Sequence, residues 1–178
     1  MHTTTLTLQT LGSRQRQRIL RHFLALSPED RMLRFGHVLT DEVIERQVAA
    51  LDFRRDRLFG LVRGRTLVAL AHLALRCQDA QHQPEAELGL SVLASARAQG
   101  LGSRLFTRAL QECRELGVRS LFMHFLASNQ TMLHIARKAG MQIVHDHGEA
   151  DAWLMLPQTP HGLPASLPQE RGCYCGAA

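Results

Sequence analysis

Apolar and polar residues alternate along this chain with two distinct periods, one typical of strands and one typical of helices. Alternating positions and short apolar runs bounded by turn residues predict strands, whereas apolar residues three and four positions apart predict helices. The predicted strands are 3–10, 58–62, 66–75, 85–93, 118–126, 141–147 and 150–156, and the predicted helices are 13–25, 41–51, 101–116 and 130–139. This order predicts one sheet with helices packed on its faces.

The length of the chain suits one domain and is too short for two ordinary ones. It has 178 residues, and a domain commonly contains about 100–200. Most of its prolines follow position 156, where the hydrophobic periodicity also ends. We therefore expect a single folded domain at 1–156 and a disordered, proline-rich C-terminal tail at 157–178, with no role predicted for Cys173 and Cys175 in the tail.

Hydropathy and charge limit the kinds of molecule that the protein is expected to bind. The longest apolar stretch, Leu67–Leu75, is far shorter than the roughly 20 residues that cross a bilayer, and the N-terminus lacks a basic and apolar targeting segment. We expect a cytoplasmic protein with no membrane partner. The net charge of +5 suits nucleic acid, a phosphorylated ligand or an acidic protein. Because only 5% of the residues are aromatic, base stacking has little support, so nucleic acid is not expected and an arginine-rich nucleic-acid-binding domain is a distant alternative.

A glycine-rich turn between a predicted strand and a predicted helix is the most informative stretch. It contains Arg97, Ala98, Gln99, Gly100, Leu101, Gly102, Ser103 and Arg104. Glycines let backbone N–H groups approach a bulky anion, and the helix N-terminus adds its positive dipole end. The spacing is neither that of a P-loop nor that of a dinucleotide-binding turn. The turn therefore predicts a pyrophosphate site, with a glycine-assisted helix start and no ligand as the alternative.

Three segments together resemble a known superfamily. Arg97-x-x-Gly100-x-Gly102 after a strand resembles the acetyl-CoA pyrophosphate signature, [QR]-x-x-G-x-[GA], of the GNAT N-acetyltransferases. Asn129-x-x-Met132-x-x-x-Ala136-x-x-x-Gly140 resembles the second cofactor helix of that superfamily, and 26–35 resembles the linker between the first two helices in bacterial protein-lysine acetyltransferases. The resemblance covers about 1–156 and has the same element order as the hydrophobic pattern.

The resemblance implies an α/β (mixed α+β) fold of three layers and a chain that holds acetyl-CoA. In such a fold about seven strands form a central, mixed, mostly antiparallel sheet, flanked by about four helices. By position, the resemblance implies that Leu90, Ser91 and Val92 offer backbone groups to pantetheine and the thioester. It also implies that the turn from Arg97 to Arg104 holds the pyrophosphate, and that Asn129 contacts the pantetheine arm. Asn129 also has the position of a simple helix N-cap.

Transfer of an acetyl group to an amine needs a group that accepts the amine's proton. A lysine-like amine is mostly protonated at pH 7, which costs about 4.6 kcal/mol to reverse, and a carboxylate can collect the proton. Glu87 occupies the position of the general-base glutamate in the bacterial enzymes that this chain resembles. Strand alternation puts Glu85, Glu87 and Gly89 on one face. The alternative is that Glu87 is a solvated glutamate at a strand start.

Other polar residues have weaker claims. The resemblance implies a tyrosine as general acid where this chain has Ala136, and neither Ser128 nor water is chosen in its place. His145 and His147 alternate onto one strand face, but no further ligands follow at a convincing spacing, so no metal site is predicted. His124 is interpreted as an interior histidine whose ring nitrogens have hydrogen-bond partners. The basic face at Arg14, Arg18 and Arg21 is interpreted as solvated surface.

Together these residues favour an acetyl-CoA-dependent N-acetyltransferase that acetylates a primary amine by direct attack in a ternary complex. The segment 26–35 and the pattern from Met132 to Ala136 favour a protein lysine as acceptor over a small amine. A small-molecule amine acetyltransferase and a non-catalytic acyl-CoA-binding regulatory domain are the alternatives. The sequence leaves open the acceptor, the acyl-chain preference and the oligomeric state, of which a homodimer is one option.

Overall fold

A computed structural model describes residues 5–76 and 84–157. The strands are β1 (Leu6–Leu11), β2 (Asp56–Arg63), β3 (Thr66–Arg76), β4 (Glu85–Val92), β5 (Ser120–Leu126), β6 (Gln142–Asp146) and β7 (Glu149–Met155). The helices are α1 (Arg16–Leu24), α2 (Pro28–Phe35), α3 (Asp41–Ala49), α4 (Leu101–Glu115) and α5 (Gln130–Lys138), with short 3-10 turns at Ser13–Gln15 and Ala94–Ala96. Each predicted strand and helix is present, with ends shifted by a few residues.

The seven strands form one mixed sheet in the order β1-β2-β3-β4-β5-β7-β6. Only the central pair, β4 and β5, is parallel, and all other neighbours are antiparallel. A parallel pair needs a crossover connection, which α4 supplies. The predicted mixed, mostly antiparallel sheet is therefore confirmed.

Helices cover both faces of this sheet and bury a separate apolar cluster on each. On one face α4 and α5 pack against the central strands, and Leu105, Leu121 and Met123 are fully buried there. On the other face α1 and α3 pack over β2 and β3, where Ile19 and Ile44 are buried. The two clusters make the three layers that the resemblance implied, and they leave the part of the second face near β4 and β5 available for a site.

Helix α2 lies where the sequence was expected to provide only a linker, so five α-helices are present rather than about four. The helix begins at Ser27, whose Oγ accepts a hydrogen bond from the backbone N–H of Asp30 at 3.2 Å, and Pro28 occupies its first turn. It ends at Gly36, which has a φ of 79°. None of its residues is fully buried, but the helix is amphipathic, and its capping residues, Ser27 with Pro28 at the start and Gly36 at the end, were readable in the sequence.

Arg31 fixes α2 to the rest of the domain. Its guanidinium donates to the backbone carbonyls of Leu24 at 3.1 Å, Leu26 at 3.2 Å and Leu39 at 2.8 Å. It also lies 2.7 Å from the carboxylate of Asp41 at the start of α3. One arginine therefore ties the segments on both sides of α2 together, which holds the helix over the ends of β4 and β5.

The expectations for the tail from 158 onward, including Cys173 and Cys175, fall on residues outside the described ranges. Cys113 is a buried, unpaired thiol on α4, and burial raises its pKa to about 12. Within 5–76 and 84–157, no helix is both long enough and apolar enough to span a membrane.

Candidate functional site

The central strands β4 and β5 separate partway along their length. They pair at only three positions, Glu85 with Ser120, Ala86 with Leu121, and Glu87 with Phe122. Beyond Glu87 the strand β4 continues to Val92, paired on its other edge with β3 but no longer with β5. Backbone polar groups along Leu88–Val92 therefore face a gap, and such groups need a partner.

A cleft of about 520 Å³ lies at this gap. We call it the turn cleft because the glycine turn forms one end of it. Its walls come from β4, from α2 and α5, and from the N-terminus of α4. The predicted cofactor residues that line it are Leu90, Ser91, Val92, Arg97, Gly100, Leu101, Gly102, Ser103 and Asn129. Ala98, Gln99 and Arg104, which were predicted with them, do not line it.

The N-terminus of α4 is open toward the turn cleft. Its N-cap is Gly100, in the left-handed conformation with a φ of 67°, and no side chain caps the helix. The first backbone N–H groups of α4 therefore have no acceptor from an N-cap side chain, and the dipole of a 15-residue helix adds positive potential there. This arrangement suits an anion.

Two side chains of the turn already have partners. Arg97 forms an ion pair with Asp30 on α2. Gln99 accepts a hydrogen bond from the guanidinium of Arg63 at 2.6 Å. The Asp30 carboxylate thus pairs with Arg97, the arginine that was predicted to bind the pyrophosphate.

Asn129 caps α5, as the sequence predicted. Its Oδ1 accepts a hydrogen bond from the backbone N–H of Met132 at 3.1 Å. Its Nδ2 donates to the carbonyl of Leu33 on α2 at 3.4 Å. The side chain therefore joins α2 to α5 at the edge of the turn cleft and keeps one N–H available.

A buried histidine that the sequence analysis missed holds Ser91 in place. His22 on α1 donates from Nδ1 to the carbonyl of Leu67 at 2.8 Å, so its Nε2 accepts from the Ser91 hydroxyl at 2.7 Å. Burial lowers the pKa of His22 to about 4, which keeps the ring neutral. This bond fixes the strand segment that borders the gap.

A second cleft, also of about 520 Å³, lies on the sheet face that α1 and α3 leave uncovered. We call it the sheet cleft, and its titratable residues are Asp56, His72, Glu87, His124 and Arg34. The two clefts share four lining residues and therefore meet, at Leu33, Arg34, Leu90 and Met132.

Glu87 lies at the point where β4 and β5 separate and lines the sheet cleft. Its Oε2 is 2.5 Å from the guanidinium of Arg76, which is more than half exposed. Nearby, Nε2 of His72 is 3.2 Å from Oδ2 of Asp56. Two carboxylates and a histidine thus lie within one cleft, each able to bind or accept a proton.

The structure corrects two expectations about histidines. His124 is exposed rather than interior, and its Nδ1 is 2.7 Å from Oδ1 of Asp151, a hydrogen bond that raises the pKa of the ring. The residues of β5 alternate, and His124 is on the side that lines the sheet cleft. His147 lies in the turn after β6, with a φ of 43°, and not on a strand face with His145. Among the described residues, no group of three or more His, Cys, Asp or Glu could hold a metal.

Five polar residues that line the turn cleft were not predicted from the sequence as part of the site. Asp30 and Arg34 lie one turn apart on α2, and Thr131, His134 and Lys138 lie on one side of α5. Spacing of three and four residues puts each group on a single helix face. The spacing on α5 could have been read from the sequence, because that helix was predicted. The spacing on α2 could not, because the helix itself was not predicted.

Comparison with known proteins agrees with this geometry. The model of the acetyltransferase (GNAT) family matches residues 21–141. The chain belongs to this family. None of the curated proteins matches the sequence.

Solved structures share the fold at low sequence identity. The GNAT domain of S. lividans PAT is 19% identical, with 84% of this chain and 89% of that chain covered and a TM-score of 0.70. The ribosomal-protein-alanine N-acetyltransferase from Brucella melitensis is 15% identical, with 84% and 99% covered and a TM-score of 0.65. The Salmonella typhimurium protein yncA, solved with its cofactor acetyl-CoA, is 13% identical, with 91% and 99% covered and a TM-score of 0.66.

Acetyl-CoA is the acyl donor of GNAT enzymes, and the residues of this chain fit it. The unpaired edge of β4 suits the amides of a pantetheine arm, and the uncapped N-terminus of α4 suits a pyrophosphate. The protein is thus an acetyl-CoA-dependent N-acetyltransferase.

Proposed function

We propose that this enzyme acetylates a primary amine by direct attack in a ternary complex, with Glu87 as the general base. The observation that carries the proposal is the meeting of the two clefts beside the point where β4 leaves β5. The donor lies in the turn cleft and the acceptor enters from the sheet cleft. Neither has to leave before the other binds.

The residues of the turn cleft hold the donor. Backbone groups of Leu90, Ser91 and Val92 bind the pantetheine arm, and the His22 bond to Ser91 keeps that strand segment fixed. The first N–H groups of α4 and the Arg97 guanidinium bind the pyrophosphate. The turn residues Ala98, Gln99, Leu101, Ser103 and Arg104 belong to the same proposed site.

Glu87 removes the proton from the acceptor. Acetyl-CoA supplies the acetyl thioester, whose carbon forms a bond to the amine nitrogen while its bond to sulfur breaks. One proton of the ammonium goes to the Glu87 carboxylate, directly or through a water, which frees the lone pair for attack, and the second proton leaves the nitrogen to water as the thiolate departs. The exposed Arg76 must swing away from Glu87 when the ammonium group arrives, which its exposure permits.

The position at which the resemblance implies a tyrosine as general acid holds an alanine in this chain. The residue at the corresponding position, Ala136, is fully buried in the core. A thiol with a pKa of about 8.5 leaves as a thiolate near neutral pH, so the reaction needs no side chain there. A backbone N–H near Val92 stabilises the oxyanion.

The proposal is tested by measuring thiol release from acetyl-CoA with a panel of primary amines and a lysine-containing peptide. Glu87→Gln should lower kcat by about 10²- to 10⁴-fold while acetyl-CoA affinity, measured by calorimetry, stays the same. Glu85→Gln removes the same charge two positions earlier on the same strand face and serves as the matched control.

Two outcomes would contradict the proposal. Full activity in Glu87→Gln would remove Glu87 as the base and turn attention to His72 beside Asp56. Tight acetyl-CoA binding without transfer to any amine or peptide would favour the regulatory alternative. The peptide in the panel tests the protein-lysine acceptor that the sequence favoured.

A further inference from the structure

Arg34, near the end of α2, packs directly on the backbone of β4. A Cβ built on Gly89 would lie 2.3 Å from Nη2 of Arg34, 2.4 Å from its Cζ and 2.7 Å from its Nη1. Any side chain at position 89 would therefore displace the guanidinium. The glycine provides the space in which Arg34 lies against the sheet, two residues along the strand from Glu87.

The Arg34 guanidinium has no polar partner among residues 5–76 and 84–157. Its Nε is shielded from solvent and makes no hydrogen bond, and it forms no ion pair with the described carboxylates. The rings of Phe35 and Phe23 lie 5.0 Å and 5.9 Å from its Cζ. Burial lowers the pKa of Arg34 to about 10, so it is still charged at neutral pH.

A shielded cation without a hydrogen-bonded partner is costly, because its desolvation is only partly offset. The nearby carboxylate of Glu87 attracts the Arg34 guanidinium, which raises its pKa, but it makes no hydrogen bond with it and is bound to Arg76 instead. Arg34 lines both the turn cleft and the sheet cleft. Its missing partner is therefore best supplied by a molecule that binds where the two clefts meet.

The donor does not supply that anion. Asp30 and Arg34 lie one turn apart on α2, and Asp30 contacts Arg97 at the pyrophosphate end of the turn cleft. Arg34 lies further along the helix, beside β4 where the strands separate, which is the acyl end. The acetyl thioester is neutral, so the negative charge has to come from the acceptor.

We infer that Arg34 binds a carboxylate of the acceptor, so that the acceptor is a small amine bearing a carboxylate, of the amino-acid class. The inference rests on the proposed function, since it uses the same base and the same donor site. With the carboxylate on Arg34, the amine lies toward Glu87 on the same strand face. A planar guanidinium is well suited to hold a carboxylate through two hydrogen bonds, and a cleft of about 520 Å³ suits a small molecule.

The test compares matched acceptors that differ only in the carboxylate. L-phenylalanine is paired with 2-phenylethylamine, and L-methionine with 3-(methylthio)propylamine, each at saturating acetyl-CoA. In the wild-type enzyme the amino acid should have a higher kcat/KM than the matching amine in at least one pair. Arg34→Gln should reduce the ratio of kcat/KM, amino acid over amine, by about 10- to 150-fold, mainly through KM.

Two further variants separate carboxylate binding from a structural role. Gly89→Ala pushes the guanidinium away without removing its charge and should reduce the same ratio. Arg114→Gln removes an exposed arginine at the end of α4 and should leave the ratio unchanged. A general loss of structure would lower kcat/KM for both members of a pair and leave the ratio as it was.

Several results would overturn the inference. Equal losses for both members of each pair in Arg34→Gln would assign Arg34 to the oxyanion or to packing. A wild-type preference for the amines or for the lysine peptide, with Glu87→Gln inactive, would overturn the carboxylate assignment alone. Absence of transfer to every acceptor would instead overturn the proposed function, and this inference with it.

Discussion

Arg97 of the glycine turn is held by Asp30, across the turn cleft on α2. The Asp30 side chain is 11% exposed and that of Arg97 is 51% exposed, so the pair lies at the mouth of the cleft. The Asp30 carboxylate pairs with an arginine that, in the proposed function, binds the pyrophosphate of acetyl-CoA. Two anions therefore compete for one guanidinium, and the pair must open when the donor binds.

Removing the charge of Asp30 should strengthen donor binding. In Asp30→Asn, no carboxylate competes for Arg97 or repels the incoming phosphates, so we expect the Kd for acetyl-CoA to fall about 3- to 10-fold. Isothermal titration calorimetry at low salt measures the change. At high salt the difference should shrink, because the charges are partly exposed.

Glu29→Gln is the matched control for this prediction. Glu29 is exposed and lies in the first turn of α2 beside Asp30, so the variant removes the same charge from the same helix end. It should leave the Kd unchanged. If Asp30→Asn weakened binding about tenfold or more, Asp30 would be orienting Arg97 toward the ligand instead of competing for it.

Acetyl-CoA should stabilise the wild-type domain through the N-terminus of α4. At 100 times its Kd, a ligand adds about 2.7 kcal/mol, which raises Tm by roughly 5–10 °C for a domain of this size. In Gly100→Glu a carboxylate stands where the phosphates bind, so this shift should be lost. Differential scanning fluorimetry with and without acetyl-CoA measures it.

Gly117, just after α4, offers a control with the same backbone. Both glycines have a positive φ, 67° at Gly100 and 68° at Gly117, and a Cβ on either would meet nothing within 4 Å. Gly117→Glu should therefore lower Tm about as much as Gly100→Glu without ligand, and keep the acetyl-CoA shift. Loss of the shift in both variants would show that strain, and not charge at the phosphate site, was measured.

Much of the fold could be predicted because burial sets the sequence pattern. The near-continuous apolar run at 118–126 indicated a central strand, and Leu121 and Met123 are fully buried. Helix α2 was missed although it is amphipathic, because it is only eight residues long and its segment resembles a linker. Its apolar side packs through Phe35 against Phe23, whereas the contacts of Arg31 and Asp30 that fix its position are polar and are not revealed by the hydrophobic period.

The candidate site also has features that the sequence predicts and features that it does not. Backbone-driven features, such as the turn at Gly100 and the cap at Asn129, were visible as residue types at fixed spacing. Arg34 and His22 were not, because their roles depend on contacts with Gly89 and Ser91, far away in sequence. Only the tertiary structure brings those pairs together.

His22 makes the stability of the domain depend on pH. Its ring is buried and neutral, with a pKa lowered to about 4 from an ordinary value of 6.5. Between these values the unfolded chain binds a proton that the folded protein excludes, so stability rises with pH across this window. The stabilisation is complete above pH 6.5 and is lost as pH falls toward 4, by about 3 kcal/mol in all.

Replacing His22 should flatten that dependence. His22→Gln loses the ring's hydrogen bonds to Leu67 and Ser91, so we expect a lower free energy of unfolding at pH 7 by about 1–3 kcal/mol. From pH 6.5 to 4.5, however, its stability should fall less than that of the wild type. Urea unfolding followed by circular dichroism at several pH values measures both effects.

His145→Gln removes an exposed histidine on β6 and should leave the pH dependence as it is. His124 does not interfere, because Asp151 raises its pKa, and a raised pKa changes stability above pH 6.5 rather than below it. If His22→Gln and the wild type lost stability in parallel below pH 6.5, His22 would be protonated in the fold. In that case the Ser91 hydroxyl would accept the bond from Nε2 instead of donating it, and the strand edge that borders the donor would carry a buried positive charge.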